Sequence, residues 1–100
     1  MTKVALSVQL KAKLGKEEEV ADFLTSAQAL LAQEPLTVAW FAVRFDKSTF
    51  GIFDAFDGEE GRQAHLQGQI AAALMAKYDE LFEGPLDIKQ PEVLADRLPG

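Results

Sequence analysis

Cysteine is absent from the 100-residue chain. That removes disulfides, thiolate nucleophiles and Cys-ligated zinc or iron–sulfur centres, and it leaves the redox compartment undetermined. Histidine occurs once, at position 65, so any further anionic metal ligands would have to be carboxylates. Asp54, Asp57, Glu59 and Glu60 lack the ordered spacing of a calcium loop, and no metal is expected. The seven glycines do not fall into a phosphate-cradling pattern, so no nucleotide cofactor is expected either. Basic residues are few: ten Lys and Arg stand against sixteen Asp and Glu, a formal charge of −6, which argues against a nucleic-acid partner. No apolar run approaches the length of a membrane span, and Met1 to Leu10 alternates rather than forming the apolar core of a secretion signal. A cytoplasmic protein without membrane contact is the expectation.

What is present is ordinary for a folded domain: 48% hydrophobic and 26% charged residues with four prolines. The length suits one domain over residues 1–100. Val4, Leu6, Val8 and Leu10 alternate with polar residues, which predicts a first strand. Lys16 to Gln33 carries Val20, Phe23, Leu24, Ala27, Leu30 and Leu31 at helical spacing, with Glu17, Glu18 and Glu19 in the first turn and Pro35 as the stop. Thr37–Phe45 and Thr49–Phe56 read as two strands of a hairpin around Asp46-Lys47-Ser48. Asp57 with Glu60 suggests an N-cap for a short helix through His65 and Leu66, interrupted at Gly68. A second helical stripe covers Gln69 to Phe82, stopped by Gly84-Pro85, and Leu86–Gln90 reads as a fourth strand. The order is βαββαβ, an α+β ferredoxin-like arrangement with one antiparallel sheet backed by helices.

The hairpin strands are apolar on both faces: Val38, Trp40 and Ala42 oppose Ala39, Phe41 and Val43. One face can be covered by the chain's own helices; the other calls for a second subunit, so a homodimer is expected. Val93 and Leu94 also lack cover, and residues 92–98 are expected to lie on the partner.

Two residues carry the candidate chemistry. His65 is the only side chain whose ordinary pKa lies near neutrality, which makes it the natural general base; the plainer alternative is a ring packed over the sheet and bonded to a backbone carbonyl. Asp54 interrupts an apolar strand and must be paired, hydrated in a cavity or protonated; Arg44, Arg62 or a partner residue could pair with it structurally. A three-residue hairpin loop would set Trp40 beside Asp54 on one cavity, whereas a one-residue slip would send Trp40 to the other face. Arg44, near the end of its strand, fits a surface position or contact with an anion or partner.

The stretch from Val4 to Glu19, Phe53-Asp54-Ala55-Phe56 and Ala64-His65-Leu66 together resemble the antibiotic biosynthesis monooxygenase family over nearly the whole chain. The resemblance implies a dimeric α+β barrel of two ferredoxin-like subunits and, in many members, cofactor-independent oxygenation of quinols or polycyclic phenols. Asp54 and Phe56 fall where that family often has a glutamate and a tryptophan, and His65 falls on its recurrent alanine-histidine-leucine helix. Haem-degrading relatives have an asparagine and an iron-binding histidine where Val8 and Met75 stand here, so haem degradation is not expected. The resemblance thus implies an oxygenase that takes a small aromatic quinol or phenol without a cofactor. His65 and Asp54 are its candidate catalytic residues, Trp40, Phe53 and Phe56 pack on the ring, and Val8 and Leu74 form walls. The competing expectation is a non-catalytic dimer that binds a small aromatic metabolite.

Overall fold

The computed structural model describes residues 1–99. Its centre is β1 (Val4–Ala12), whose period-two pattern pairs it antiparallel with β3 (Thr49–Phe56) from Val4 opposite Phe56 to Lys11 opposite Thr49. β2 (Thr37–Arg44) lies outside β3, antiparallel, with a bulge between Thr37 and Ala39. Asp46 shapes the hairpin turn: its carboxylate accepts from the backbone N–H of Ser48 at 3.0 Å and of Thr49 at 2.9 Å. The turn fixes the register, and Trp40 stands opposite Asp54.

Helix α1 (Glu17–Ala27) follows a turn in which Gly15 takes φ +86, a conformation open to a residue without Cβ. Glu17 accepts from the Gly15 N–H at 3.0 Å, and the α1 face carrying Val20, Leu24 and Ala27 is buried. The expected single helix to Gln33 divides here: Gln28–Gln33 is a 3-10 segment with no buried residue, so it lacks the inward stripe that would hold a further α-turn. Pro35 then disfavours helix at Glu34, which adopts φ −129, ψ 69.

Helix α2 (Glu59–Leu66) is followed by Gly68 in extended conformation and by α3 (Gln69–Leu81). The expected cap by Asp57 does not form. Gly58 occupies the N-cap position, while the Asp57 carboxylate lies 3.7 Å from the chain's own amino terminus. Helix α3 ends one residue before the expected Phe82, because Phe82 is fully buried and pairs with Ala12 as the start of β4 (Phe82–Glu83). The expected strand over Leu86–Gln90 is shorter. Only β5 (Ile88–Lys89) pairs there, opposite Val8 and Ser7, so two short strands share the outer edge of β1. The tail continues along the same edge: Ala5 N–H donates to Pro91 O at 3.0 Å, Val93 N–H to Lys3 O at 2.9 Å, and Thr2 bonds Asp96. Leu94 remains exposed.

The sheet order β2-β3-β1-β4 and the helices on one face make this the expected α+β ferredoxin-like fold. Leu10, Phe50, Ile52, Val20, Leu24, Leu74, Leu81 and Phe82 form the core between sheet and helices. The opposite face carries Phe41 opposite Phe53 and Val43 opposite Gly51, and those large side chains are exposed, as is Phe45. No helix among the described residues is long and apolar enough to cross a membrane. Phe82 lies in the core with Phe50 and Ile52 and stacks on Tyr78 with ring centroids 5.3 Å apart. Phe82→Ala should therefore destabilise the fold by about 3–5 kcal/mol, measured by urea unfolding.

Candidate functional site

Three buried titratable side chains from separate parts of the chain meet between the sheet and α2. Asp54 points from β3 toward the helices because it has the same strand parity as Phe50, Ile52 and Phe56, and it is 2% exposed. His65 sits on the inner face of α2 with Gly61 one turn before it, and its ring lies 5.6 Å from that of Phe56. A Cβ on Gly61 would come within 3.0 Å of Leu36 O and 3.2 Å of Phe56 Cβ. Glycine therefore lets α2 approach the sheet closely enough for the histidine to reach Asp54. Glu34 arrives from the turn before Pro35, fixed by its N–H to Leu31 O at 2.9 Å and by the N–H of Thr37 to its own O at 3.1 Å.

His65 Nε2 lies 2.9 Å from Asp54 Oδ2, and its Nδ1 lies 2.5 Å from Glu34 Oε1. A carboxylate can only accept when ionised, so a ring held at both nitrogens by carboxylates is stable when both nitrogens carry protons. Burial would push the His65 pKa down; the hydrogen bonds and charges of Asp54 and Glu34 outweigh it and hold the pKa above its ordinary 6.5. Geometry and charge together favour the doubly protonated ring at this position. One oxygen of each acid, Asp54 Oδ1 and Glu34 Oε2, is buried without a hydrogen-bond partner.

Each acid borders a different cavity. Asp54 shares about 50 Å³ with Leu6, Val8, Ile52, Leu74 and Ile88; Glu34 shares about 200 Å³ with Gln33, Thr37, Gly68 and Gln69. His65 lines both. A third and larger space, about 510 Å³, is an open groove between α1 and β2 bordered by Leu24, Thr25, Trp40, Arg44 and Phe50.

The expected pair His65 and Asp54 is brought together, with Val8 and Leu74 as walls of the same cavity. His65 bonds two acids rather than the backbone carbonyl of the plainer alternative. Asp54 pairs with neither arginine: Arg44 bonds Glu18 at 2.9 Å, and Arg62 bonds Glu59 at 2.5 Å. Trp40 neighbours Asp54 across the strands but lines the groove, and its Nε1 is buried without a partner. Phe56 is fully buried beneath His65 and borders none of the three spaces. Phe53 stands on the opposite sheet face, away from Asp54, because adjacent strand residues alternate sides. Glu34 is the residue that sequence reasoning missed. Its only local signal is an acid forced out of helix by Pro35.

No protein-family model matches the chain, and no curated protein does. Among solved structures, a Nitrosomonas europaea protein of unknown function is 57% identical over all of this chain and 97% of its own, with a TM-score of 0.96. The chain belongs to that protein's family. A second Nitrosomonas europaea structure, provisionally assigned as an antibiotic biosynthesis monooxygenase, is 14% identical with a TM-score of 0.81 over 92% of this chain and 99% of its own. A Bacteroides thetaiotaomicron protein described as a possible oxidoreductase is 17% identical with a TM-score of 0.76, over 92% of this chain and 98% of its own. At those identities the likeness is one of fold, and the fold is that of antibiotic biosynthesis monooxygenase-like proteins.

A histidine whose folded pKa exceeds its unfolded value contributes its full stabilisation below the unfolded value and loses it as pH rises through the folded one. His65→Gln should cost about 3–5 kcal/mol near pH 6, because it leaves two buried carboxylates without their cation. Urea unfolding across a pH series should show the gap between wild type and variant narrowing from about pH 6.5 upward. A gap that widens there would contradict the imidazolium assignment.

Proposed function

We propose that the chain is a cofactor-independent oxygenase of small electron-rich phenols or hydroquinones, belonging to the antibiotic biosynthesis monooxygenase family. The observation that carries this reading is Asp54: a buried carboxylate on an apolar cavity, with one oxygen bonded to His65 and the other without a partner. Asp54 Oδ1 takes the phenolic proton. His65, with both nitrogens engaged, backs Asp54 rather than acting as the base itself. The substrate anion gives up electrons to dioxygen more readily than the neutral phenol, and the dry cavity excludes competing proton donors. The reaction balances without a cofactor: hydroquinone and dioxygen give hydroxyquinone and water, the substrate supplying all four electrons.

The cavity at about 50 Å³ is smaller than the ~150 Å³ that accepts a benzene ring in an apolar interior. A ring therefore enters by displacing a wall. Ile88 is the wall suited to yield, being partly exposed and held in a strand of two residues. The fold neighbours provisionally assigned as monooxygenase and oxidoreductase support the same reaction class. A second copy of the chain is the partner best suited to the open sheet face, where Phe41, Val43, Phe45 and Phe53 are exposed together.

The alternative, a binding protein for an aromatic metabolite, is favoured by the 510 Å³ groove, where Trp40 and Phe50 line a space that neither Asp54 nor His65 reaches. Oxygen uptake with a panel of hydroquinones, combined with Trp40 fluorescence, separates the two. Turnover in wild type should fall roughly 10²- to 10⁴-fold in kcat/KM in Asp54→Asn. Saturable quenching with no oxygen consumption supports the binding protein instead. For the assembly, sedimentation at micromolar concentration should give a dimer that Phe53→Asp converts to a folded monomer; a monomeric wild type would remove the second copy from the reading.

A further inference from the structure

We propose that Glu34 is a positioning residue that fixes both the charge and the orientation of His65, and through it leaves Asp54 Oδ1 as the open acceptor. The inference deepens the oxygenase reading and rests on it for its kinetic part only. Its first support is geometric: Glu34 Oε1 at 2.5 Å and Asp54 Oδ2 at 2.9 Å hold the ring from opposite nitrogens, so neither acid can turn the imidazole without breaking the other contact. Its second is burial. The side chains of Glu34, His65 and Asp54 are 8%, 7% and 2% exposed, where losing a partner is costly.

The surroundings of Glu34 are shaped to keep its carboxylate in place. Its Oε2 lies against Gly68, the residue that precedes α3, and a Cβ on Gly68 would come within 2.9 Å of that oxygen. Gly68 and Gln69, at the N-terminal end of α3, border this cavity, and that end of the helix dipole favours an anion. The two acids outnumber the one imidazolium, and neither cavity is bordered by a lysine or arginine. With Glu34 neutral, a single carboxylate would have to hold the ring's charge against burial. The proton would then be lost at lower pH, and the neutral ring would keep its Nε2–H on Asp54 while Nδ1 turned from donor to acceptor, so the positive charge behind Asp54 would be gone.

His65 is the chain's only histidine, so its imidazole resonances are unambiguous. Nitrogen-15 NMR titration of wild type should show both ring nitrogens protonated at neutral pH. Glu34→Gln keeps an acceptor for Nδ1 but removes the charge. It should lower the titration midpoint by about one pH unit, a tenfold loss of proton affinity. Gly68→Ala, which crowds Oε2 and leaves the charge, should move the midpoint in the same direction. Gln69→Ala, on the same cavity, should leave it unmoved. An unshifted or raised midpoint in Glu34→Gln, or a neutral ring in wild type at pH 7, overturns the proposal. Where wild type turns over a hydroquinone, Glu34→Gln should shift the alkaline limb of the kcat/KM profile to lower pH by the same interval; an unshifted limb also counts against it. If wild type turns over none, the oxygenase reading fails while the titration still decides the role of Glu34.

Discussion

The pairing of β1 with β3 is the constraint on which the molecule hangs. It places Leu6 opposite Asp54 and Ser7 opposite Phe53, and by strand parity it sorts every side chain of the sheet to the helix face or to the open face. A slip of one residue would expose Phe50, Ile52 and Phe56 and bury Phe41 and Phe53 under the helices. The hydrophobic cost of that exchange, about 1.5–3 kcal/mol for each large side chain moved, makes the register unambiguous. The same register brings Asp54 inside, so the least apolar residue of β3 is carried into the interior by its neighbours.

Bringing a carboxylate inside imposes a second requirement, because an isolated buried charge is far more costly than a buried amide or hydroxyl. His65 meets it from α2, and Glu34 meets the demand that the imidazolium then creates. The chain of three is closed on both nitrogens and open at one oxygen of each acid. An assembly of this kind adds little net stability compared with well-packed apolar residues of the same volume. Its persistence in a core otherwise built of Leu, Ile and Phe is more readily understood as chemistry than as scaffolding.

Much of the fold was legible in the sequence, because alternation and helical spacing each have one good structural solution. The Trp40–Asp54 pairing followed from the polar hairpin turn alone. The ends of elements were less legible. Phe82 carried a helical period but was drawn into β4 by burial, and Gln28–Gln33 kept helical spacing while burying nothing. At the site, His65 and Asp54 could be chosen by elimination, since one is the sole histidine and the other a charge in an apolar strand. Glu34 could not, because it lies 31 positions from His65 and only the folded chain joins them. Phe53 belongs to the opposite case: the alternation that turned Asp54 inward already turned Phe53 outward, and aromatic character alone had suggested a place beside the ring.

The tail that runs along β1 also decides how this sheet can grow. Through Ile88–Lys89, Pro91 and Val93 the chain caps one margin of its own sheet, so backbone donors and acceptors there are already taken. The opposite margin, β2, ends the hydrogen-bonded ladder. Strand addition by another molecule can therefore take place directly on β2 and not directly on β1. Edge-to-edge stacking of sheets would have to proceed through β2 or the irregular tail rather than through β1 itself.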